Sequence, residues 1–210
     1  MQRKLTVLLI LTALFAVSVT SGFAQGPQGG PPGGGQGRGG GRGPQAPPLL
    51  MTTTAFEDGG IVPDKYRMKA GAMAVSPELK WSQVPMGTMS FVLLMHDPDV
   101  ALGGTNAPDD VLHWLVWNIP GTAAGLPENV PQGAKLPDGT QQLSLRGPAY
   151  MGPGAPANGP YHHYTFELYA LDTMLDVTPA ATPAETRAAV LKAMVGHVRG
   201  KAVLVGRFHQ

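Results

Sequence analysis

The chain has 210 residues, of which 14% are charged, with a formal net charge of +1 at pH 7 and no cysteine. The near balance of basic and acidic residues excludes the strongly basic class of nucleic-acid-binding proteins, and without cysteine no disulfide can form. Residues 50–210 contain 11 basic and 14 acidic residues, and about 160 residues are enough for one domain with its own core.

The N-terminal segment has the pattern of a secretory signal peptide. Arg3 and Lys4 precede an apolar run over 5–19, and Gly22-Phe23-Ala24 offers a small-residue cleavage site. The run is shorter than the about 20 apolar residues of a membrane-spanning helix, and an uncleaved N-terminal anchor is the alternative. We expect residues 1–24 to be removed and the product to be periplasmic or extracellular, with no stable membrane insertion after cleavage.

Residues 25–48 are dominated by glycine and proline. The segment contains 11 Gly and 6 Pro and has no large apolar residue, so it cannot bury enough surface to offset the loss of chain entropy on folding. The composition predicts a disordered linker, which leaves 49–210 as the folded domain.

Strand patterns dominate the rest of the chain. Apolar or alternating runs predict strands over 90–95, 111–119, 164–171 and 201–208. The first of these is apolar at nearly every position, which is typical of a strand buried on both faces. Shorter candidates lie at 71–75, 78–81 and 141–145.

One helix is marked by its N-terminal sequence. Thr182-Pro183-Ala184-Glu185 combines a capping hydroxyl, a proline at the first helical position and a Glu three residues after the cap. The spacing predicts an apolar stripe toward the sheet, made of Ala184, Ala188, Leu191 and Val195, with an end at Gly196. Many strands, long connections and no βαβ alternation together predict a mainly β protein, an antiparallel β-sandwich with one or two helices near the C-terminus.

Polar side chains cluster where the predicted strands begin or end. His96 and Asp97 follow the first long strand, His113 lies near the start of the second, and His162 precedes the third. We therefore expect a shared pocket, although Asp97-Pro98-Asp99 could be only a turn and His113 only a core histidine. Alternation along the strands predicts that His96 and His163 face away from it, and the aromatic residues Trp114, Trp117 and Tyr169 are assigned to the core.

Several segments resemble the phosphatidylethanolamine-binding protein family, in its bacterial Raf-kinase-inhibitor-like branch. The family motifs correspond here to Asp97-Pro98-Asp99-Val100-Ala101, His113-Trp114, Gly152-Pro153-Gly154-Ala155-Pro156 and His162-His163-Tyr164. Further matching segments are Phe56 to Gly60, Ser76 to Leu79, Trp81, Trp117 to Pro120 and Gly196 to Phe208. The resemblance covers about residues 50–208.

The resemblance implies a sandwich around a central antiparallel sheet, with a small anion-binding cavity at strand ends. The pocket residues that it implies are Asp97, His113, Pro156, His162 and Tyr164. Two positions depart from the family pattern. Ala101 stands where the motif has a second proline, and His163 stands where an arginine is usual, which removes a permanent positive charge.

The sequence favours a binding protein over an enzyme. Imidazoles can be neutral or cationic near neutral pH, and a phosphate group offers negative charge and strong acceptors. We expect a small pocket for phosphate-like groups, phospholipid head groups or phosphorylated ligands, with no cofactor and no metal. The alternative is inhibition of a protease or kinase by direct protein contact, for which an envelope protein would be the partner. A metal-dependent or acid–base hydrolase is the third candidate.

Overall fold

The computed structural model describes residues 48–69, 71, 74–103 and 109–210. The expected signal peptide (1–24), and all of the expected linker except Pro48, lie outside these residues. The described part of the chain contains nine β-strands, one α-helix and a short 3-10 helix at Asp64–Tyr66. The elements are β1 (Leu50–Thr52), β2 (Gly60–Ile61), β3 (Leu79–Ser82), β4 (Ser90–Asp97), β5 (Val111–Pro120), β6 (Gly125–Leu126), β7 (Gln141–Leu143), β8 (His162–Leu171), α1 (Pro183–Ala193) and β9 (Val198–Phe208).

The strands form two sheets. The larger has six strands in the order β2-β9-β8-β4-β5-β7, and the smaller has three in the order β1-β3-β6. Paired neighbours are antiparallel except β2 and β9, which are parallel over two residue pairs. The mainly β sandwich expected from the sequence is therefore confirmed, with this one short parallel pairing as a difference.

The four long predicted strands are present as β4, β5, β8 and β9, and the candidates at 78–81 and 141–145 correspond to β3 and β7. The candidate at 71–75 is wrong, since Gly71, Ala74 and Val75 belong to no strand. Gly71 has a backbone φ of +69°, and this left-handed conformation is incompatible with an extended strand.

The central strand β4 has two apolar faces because the large sheet is covered on both sides. Phe91, Leu93 and Met95 pack toward the small sheet, in a cluster that includes Leu79 and Trp81. Val92 and Leu94 point the other way, into a second cluster with Trp117, Val190 and Met194. This double burial explains the continuous apolar run in the sequence.

Helix α1 begins as predicted, but its buried face differs from the predicted one. The Thr182 hydroxyl accepts from the Glu185 N–H, and Glu185 accepts in return from the Thr182 N–H. The helix buries the side chains of Thr186 and Val190, and its C-cap residue Met194 is buried as well. Of the predicted stripe, Leu191 packs partly against the same cluster, whereas Val195 is 77% exposed. Thr186 can be buried because its hydroxyl donates to the Thr182 carbonyl and accepts from the Ala180 N–H. Among the described residues, no helix is both long and apolar enough to cross a bilayer.

Candidate functional site

The sheet register brings the polar strand ends together. Asp97, the last residue of β4, pairs with Val111, the first residue of β5. On its other side β4 pairs with β8, in a register that places His96 opposite Thr165. Because both neighbours are antiparallel to β4, the end of β4 lies beside the starts of β5 and β8. Asp97, His113 and His162 therefore meet where the end of β4 lies beside the starts of β5 and β8.

A cavity of about 410 Å³ opens at these strand ends. All five residues that the family resemblance implied for the pocket line it. The lining consists of Met68, Asp97, Val100, Val111, His113, Leu145, Arg146, Met151, Gly154, Ala155, Pro156, His162 and Tyr164. Most of these side chains are apolar, so charges within the cavity interact more strongly than they would in bulk water. The expected convergence is present, and the binding role of these residues stays a prediction.

Asp97 is held between the backbone and an imidazole. One carboxylate oxygen accepts from the Asp99 N–H at 2.9 Å, and the other accepts from Nδ1 of His162 at 2.8 Å. Asp97 is only 2% exposed, so these bonds replace the water that the buried carboxylate has lost. Because Nδ1 of His162 is engaged by the carboxylate, Nε2 is the ring nitrogen left for a ligand.

His113 is fixed through its Nδ1 atom as well. This nitrogen lies 2.8 Å from the Met151 carbonyl oxygen and 3.2 Å from that of Gly152. A carbonyl can only accept, so Nδ1 carries the proton, and Nε2 of the neutral ring bears a lone pair. Burial lowers the pKa of His113 below its ordinary value of 6.5, and the hydrogen bonds to the two carbonyls and the charge of Asp97 oppose this lowering only in part.

Tyr164 supports the loop that forms one wall of the cavity. Its phenol oxygen accepts from the N–H groups of Gly154 and Ala155, each at 3.1 Å. Its ring lies edge-on to His113, with centroids 5.0 Å apart. Burial raises the pKa of Tyr164 to about 12, so the phenol stays protonated. Because the N–H groups of Gly154 and Ala155 already donate to Tyr164, they are not free to bind an anion.

Close backbone packing fixes the same loop from the other side. A Cβ at Gly152 would lie 2.6 Å from the Arg67 carbonyl carbon and 2.7 Å from the Met68 nitrogen, a separation that only glycine permits. The Met68 N–H also donates to the Pro153 carbonyl at 2.8 Å. Pro156 follows in a turn closed by the Gly159 N–H, which donates to the Pro156 carbonyl at 3.2 Å. The cavity wall is thus fixed by contacts within the protein.

The two remaining histidines of the region lie outside the cavity lining, as the strand alternation predicts. His163, which stands where the family has arginine, bonds to Asp99 through its backbone N–H at 2.6 Å and its ring Nδ1 at 3.0 Å. Burial by itself would raise the pKa of Asp99, but these bonds from His163 outweigh it and hold the pKa below its ordinary value. His96 bonds instead to Asp110, which is also ion paired with Arg187.

Arg146 is a lining residue that the sequence reasoning missed. It is exposed and follows β7, in the turn where the Ser144 N–H donates to the Gly147 carbonyl. One signal was available, since Arg146 is the only Lys or Arg between residues 136 and 186. Its guanidinium is always charged and gives the cavity a permanent positive charge, which His163 cannot supply.

The side chains at the cavity can donate hydrogen bonds and exchange protons. In the described part of the chain, no three His, Cys, Asp or Glu side chains are grouped so that they could hold a metal ion. Asp97 and His162 form a pair, and His113 is anchored separately to backbone carbonyls. A carboxylate–imidazole pair beside a second imidazole is suited to a ligand that brings negative charge together with hydrogen-bond acceptors.

Comparison with known proteins identifies the family. The family model for phosphatidylethanolamine-binding protein matches residues 52–209. The chain belongs to the phosphatidylethanolamine-binding protein family. The match spans nearly the whole folded domain, including every lining residue of the cavity.

Curated proteins and solved structures are similar to this chain. A UPF0098 protein of Methanothermobacter thermautotrophicus is 40% identical over 168 residues, which cover 76% of this chain and 98% of that protein. LppC of Mycobacterium tuberculosis, named as a candidate lipoprotein, is 34% identical over 79% of this chain and 74% of its own length. The crystal structure of YbcL from E. coli, described as a new member of the mammalian family, matches with a TM-score of 0.64 and 27% identity, covering 77% of this chain and 98% of YbcL.

Proposed function

We propose that this chain is an exported binding protein whose cavity takes a phosphate group. The ligand classes are inorganic phosphate, phosphorylated small molecules and phospholipid head groups. The observation that carries the proposal is the meeting of two imidazoles, each anchored through Nδ1, in one cavity with Arg146 at its edge. A site of this kind presents nitrogen donors to an anion in partly apolar surroundings, where charge-assisted hydrogen bonds are strong.

The charge of the cavity depends on how many protons its imidazoles carry. With both rings neutral, Asp97, His113 and His162 together carry one negative charge, which repels an anion. Each proton bound by a ring makes the net charge more positive by one and converts Nε2 of that ring from an acceptor to a donor. The pKa of His113 is lowered by burial in the free protein, so a bound anion raises it and binding takes up a proton. Affinity therefore strengthens as pH falls.

The export proposal rests on the sequence pattern of residues 1–24. The candidate lipoprotein name of the LppC relative supports an envelope location. Expression of the whole chain in a bacterium, followed by N-terminal sequencing of the product outside the cytoplasm, tests it. We expect the mature chain to begin just after Ala24. A product that stays in the cytoplasm with residues 1–24 attached would contradict export.

Calorimetric titration with sulfate tests the pocket. Sulfate keeps both negative charges from about pH 5.5 to 8, where histidines titrate, so any change in affinity reports on the protein. We expect affinity to rise as pH falls, by up to about tenfold per pH unit for each proton taken up. Inorganic phosphate, titrated in parallel, should bind the same site.

Conservative substitutions distinguish the roles of the two pocket histidines from those of the other histidines. His113→Asn and His162→Asn keep a donor near the position of Nδ1 and remove Nε2, so each should weaken sulfate binding about tenfold or more. His197→Asn is the matched control, because His197 bonds to Asp172 and does not line the cavity. Affinity that is flat with pH, or unchanged in both pocket variants, would overturn the proposal.

A further inference from the structure

A second cavity adjoins the pocket, and its walls are basic. It has a volume of about 350 Å³ and is lined by Arg67, Met68, Lys69, Arg146 and Gln210. Met68 and Arg146 also line the pocket described above, so the two cavities share a wall. We call the second cavity the basic cleft.

The three cations of the basic cleft have no carboxylate partner. All 14 Asp and Glu side chains of the chain belong to the described residues. None of them lies within 4.0 Å of a side-chain nitrogen of Arg67, Lys69 or Arg146 in the part of the chain that the structure describes. By contrast, Lys65 and Arg187 each meet a carboxylate. The positive charge of the cleft is therefore left for a ligand.

The backbone around the cleft is tied to the pocket wall. The Met68 N–H donates to the Pro153 carbonyl, and the Gln210 N–H donates to the Ala155 carbonyl at 3.2 Å. Met68 also packs against Gly154, with its Cβ 3.5 Å from the position that a Gly154 Cβ would take. The segment carrying Arg67 and Lys69 is thus held against the loop that lines the pocket, and Met68 and Arg146 lie between the two cavities as shared lining residues.

We propose that the basic cleft is a second anion subsite, so that this protein prefers ligands with two negative groups a few atoms apart over ligands with one. This inference rests on the proposed function, in which a phosphate occupies the pocket beside His113 and His162. A carboxylate or second phosphate on the same ligand then lies against Arg67 and Lys69. A ligand whose second group is an ammonium, as in the ethanolamine head group, meets like charge there and binds more weakly.

A matched series of phosphate esters tests the charge of the second group. Ethyl phosphate has a neutral end, phosphoglycolate ends in a carboxylate, and phosphoethanolamine ends in an ammonium. A homologue of phosphoglycolate that is one methylene longer extends the reach. Calorimetry at low ionic strength should show one of the carboxylate ligands binding about three- to tenfold tighter than ethyl phosphate, as expected for exposed charge pairs, with phosphoethanolamine weakest. The preference should shrink in about 0.3 M salt.

The variant Arg67→Gln with Lys69→Gln tests the cleft itself. Both side chains line only the cleft, whereas Arg146 lines both cavities and is left intact. We expect the preference for a carboxylate end to fall below about twofold while ethyl phosphate binding changes little. Lys192→Gln, which removes a charge on α1 that lines neither cavity, should leave the whole series unchanged.

The outcomes separate the two proposals. If ethyl phosphate and inorganic phosphate fail to bind, the proposed function is overturned and this inference with it. If ethyl phosphate binds and depends on His113 and His162, but the series is flat or phosphoethanolamine binds tightest, the second subsite alone is overturned. A carboxylate preference that survives in the double variant also overturns it, because the preference then arises elsewhere.

Discussion

Replacing Tyr164 by Phe should lower the free energy of unfolding by more than the loss of a hydroxyl that makes a single hydrogen bond. The phenol oxygen is the acceptor for two backbone N–H groups, those of Gly154 and Ala155, and Tyr164 is 1% exposed. Phenylalanine leaves both amides without this partner. An unpaired buried amide costs about 1–3 kcal/mol, and the Gly154 amide is only partly buried, so we expect a total loss of about 2–4 kcal/mol.

Urea unfolding followed by tryptophan fluorescence measures this loss. With a slope of about 2 kcal/mol per molar urea, typical of small domains, the midpoint should fall by about 1–2 M. Tyr169→Phe is the matched control, because the Tyr169 hydroxyl donates a single hydrogen bond, to a Glu167 carboxylate that keeps its ion pair with Lys201. Its loss should cost about 1–1.5 kcal/mol, less than two unpaired amides. A Tyr164→Phe midpoint equal to that of Tyr169→Phe would refute the reasoning that Tyr164 organises the cavity wall.

Three further predictions concern stability. The pKa of folded His113 lies below its unfolded value, so the unfolded state binds more protons and the free energy of unfolding of the ligand-free protein should fall as pH drops below about 6.5. Urea titrations across this range should show a weaker pH dependence for His113→Asn. An unchanged pH dependence in this variant would contradict the prediction. Val190→Ala should cost about 2–4 kcal/mol while Val195→Ala costs less than about 0.5, since only Val190 is buried; equal thermal shifts would contradict the observed helix face. Thr182→Ala should cost about 0.5–2 kcal/mol through the lost cap, and an equal effect of Thr178→Ala, which is exposed, would argue against the cap.

The sequence predicted features that depend on local chemistry. The capping box at Thr182 and Glu185 involves residues three apart, so it is readable without knowledge of the fold. The alternating pattern over 164–171 predicted a strand, and its alternate residues Tyr164, Phe166 and Leu168 are all buried in the core. The burial of β4 on both faces followed from its continuous apolar run.

What the sequence could not predict depends on long-range contacts. The helix stripe was wrong because Thr186, a polar residue, is buried through hydrogen bonds to Thr182 and Ala180 that no hydrophobic pattern reveals. The role of Tyr164 depends on which way the amides of Gly154 and Ala155 point, which is set by packing of the loop against residues 66–68. Arg146 has no motif around it and reaches the cavity only through the turn that follows β7.

The family resemblance located the pocket residues, and the structure adds their protonation chemistry. The motifs indicate that His113 and His162 belong together, but they do not distinguish the two rings. The structure does, since His162 faces a carboxylate and His113 faces backbone carbonyls. In both neutral rings Nδ1 carries the proton, so Nε2 must gain a proton before it can donate to an anion. Burial lowers the pKa of His113 in the free protein, so under the proposed function this ring is expected to take up a proton when an anion binds.

Nitrogen NMR of the His113 ring tests this account most directly. In the ligand-free protein near neutral pH, we expect the neutral form with the proton on Nδ1 and an unprotonated Nε2. Saturation with inorganic phosphate at the same pH should convert the ring to the doubly protonated form, with a hydrogen bond from Nε2 to the anion. A His113 spectrum that does not change while phosphate binds would contradict the claim that this imidazole receives the ligand's charge.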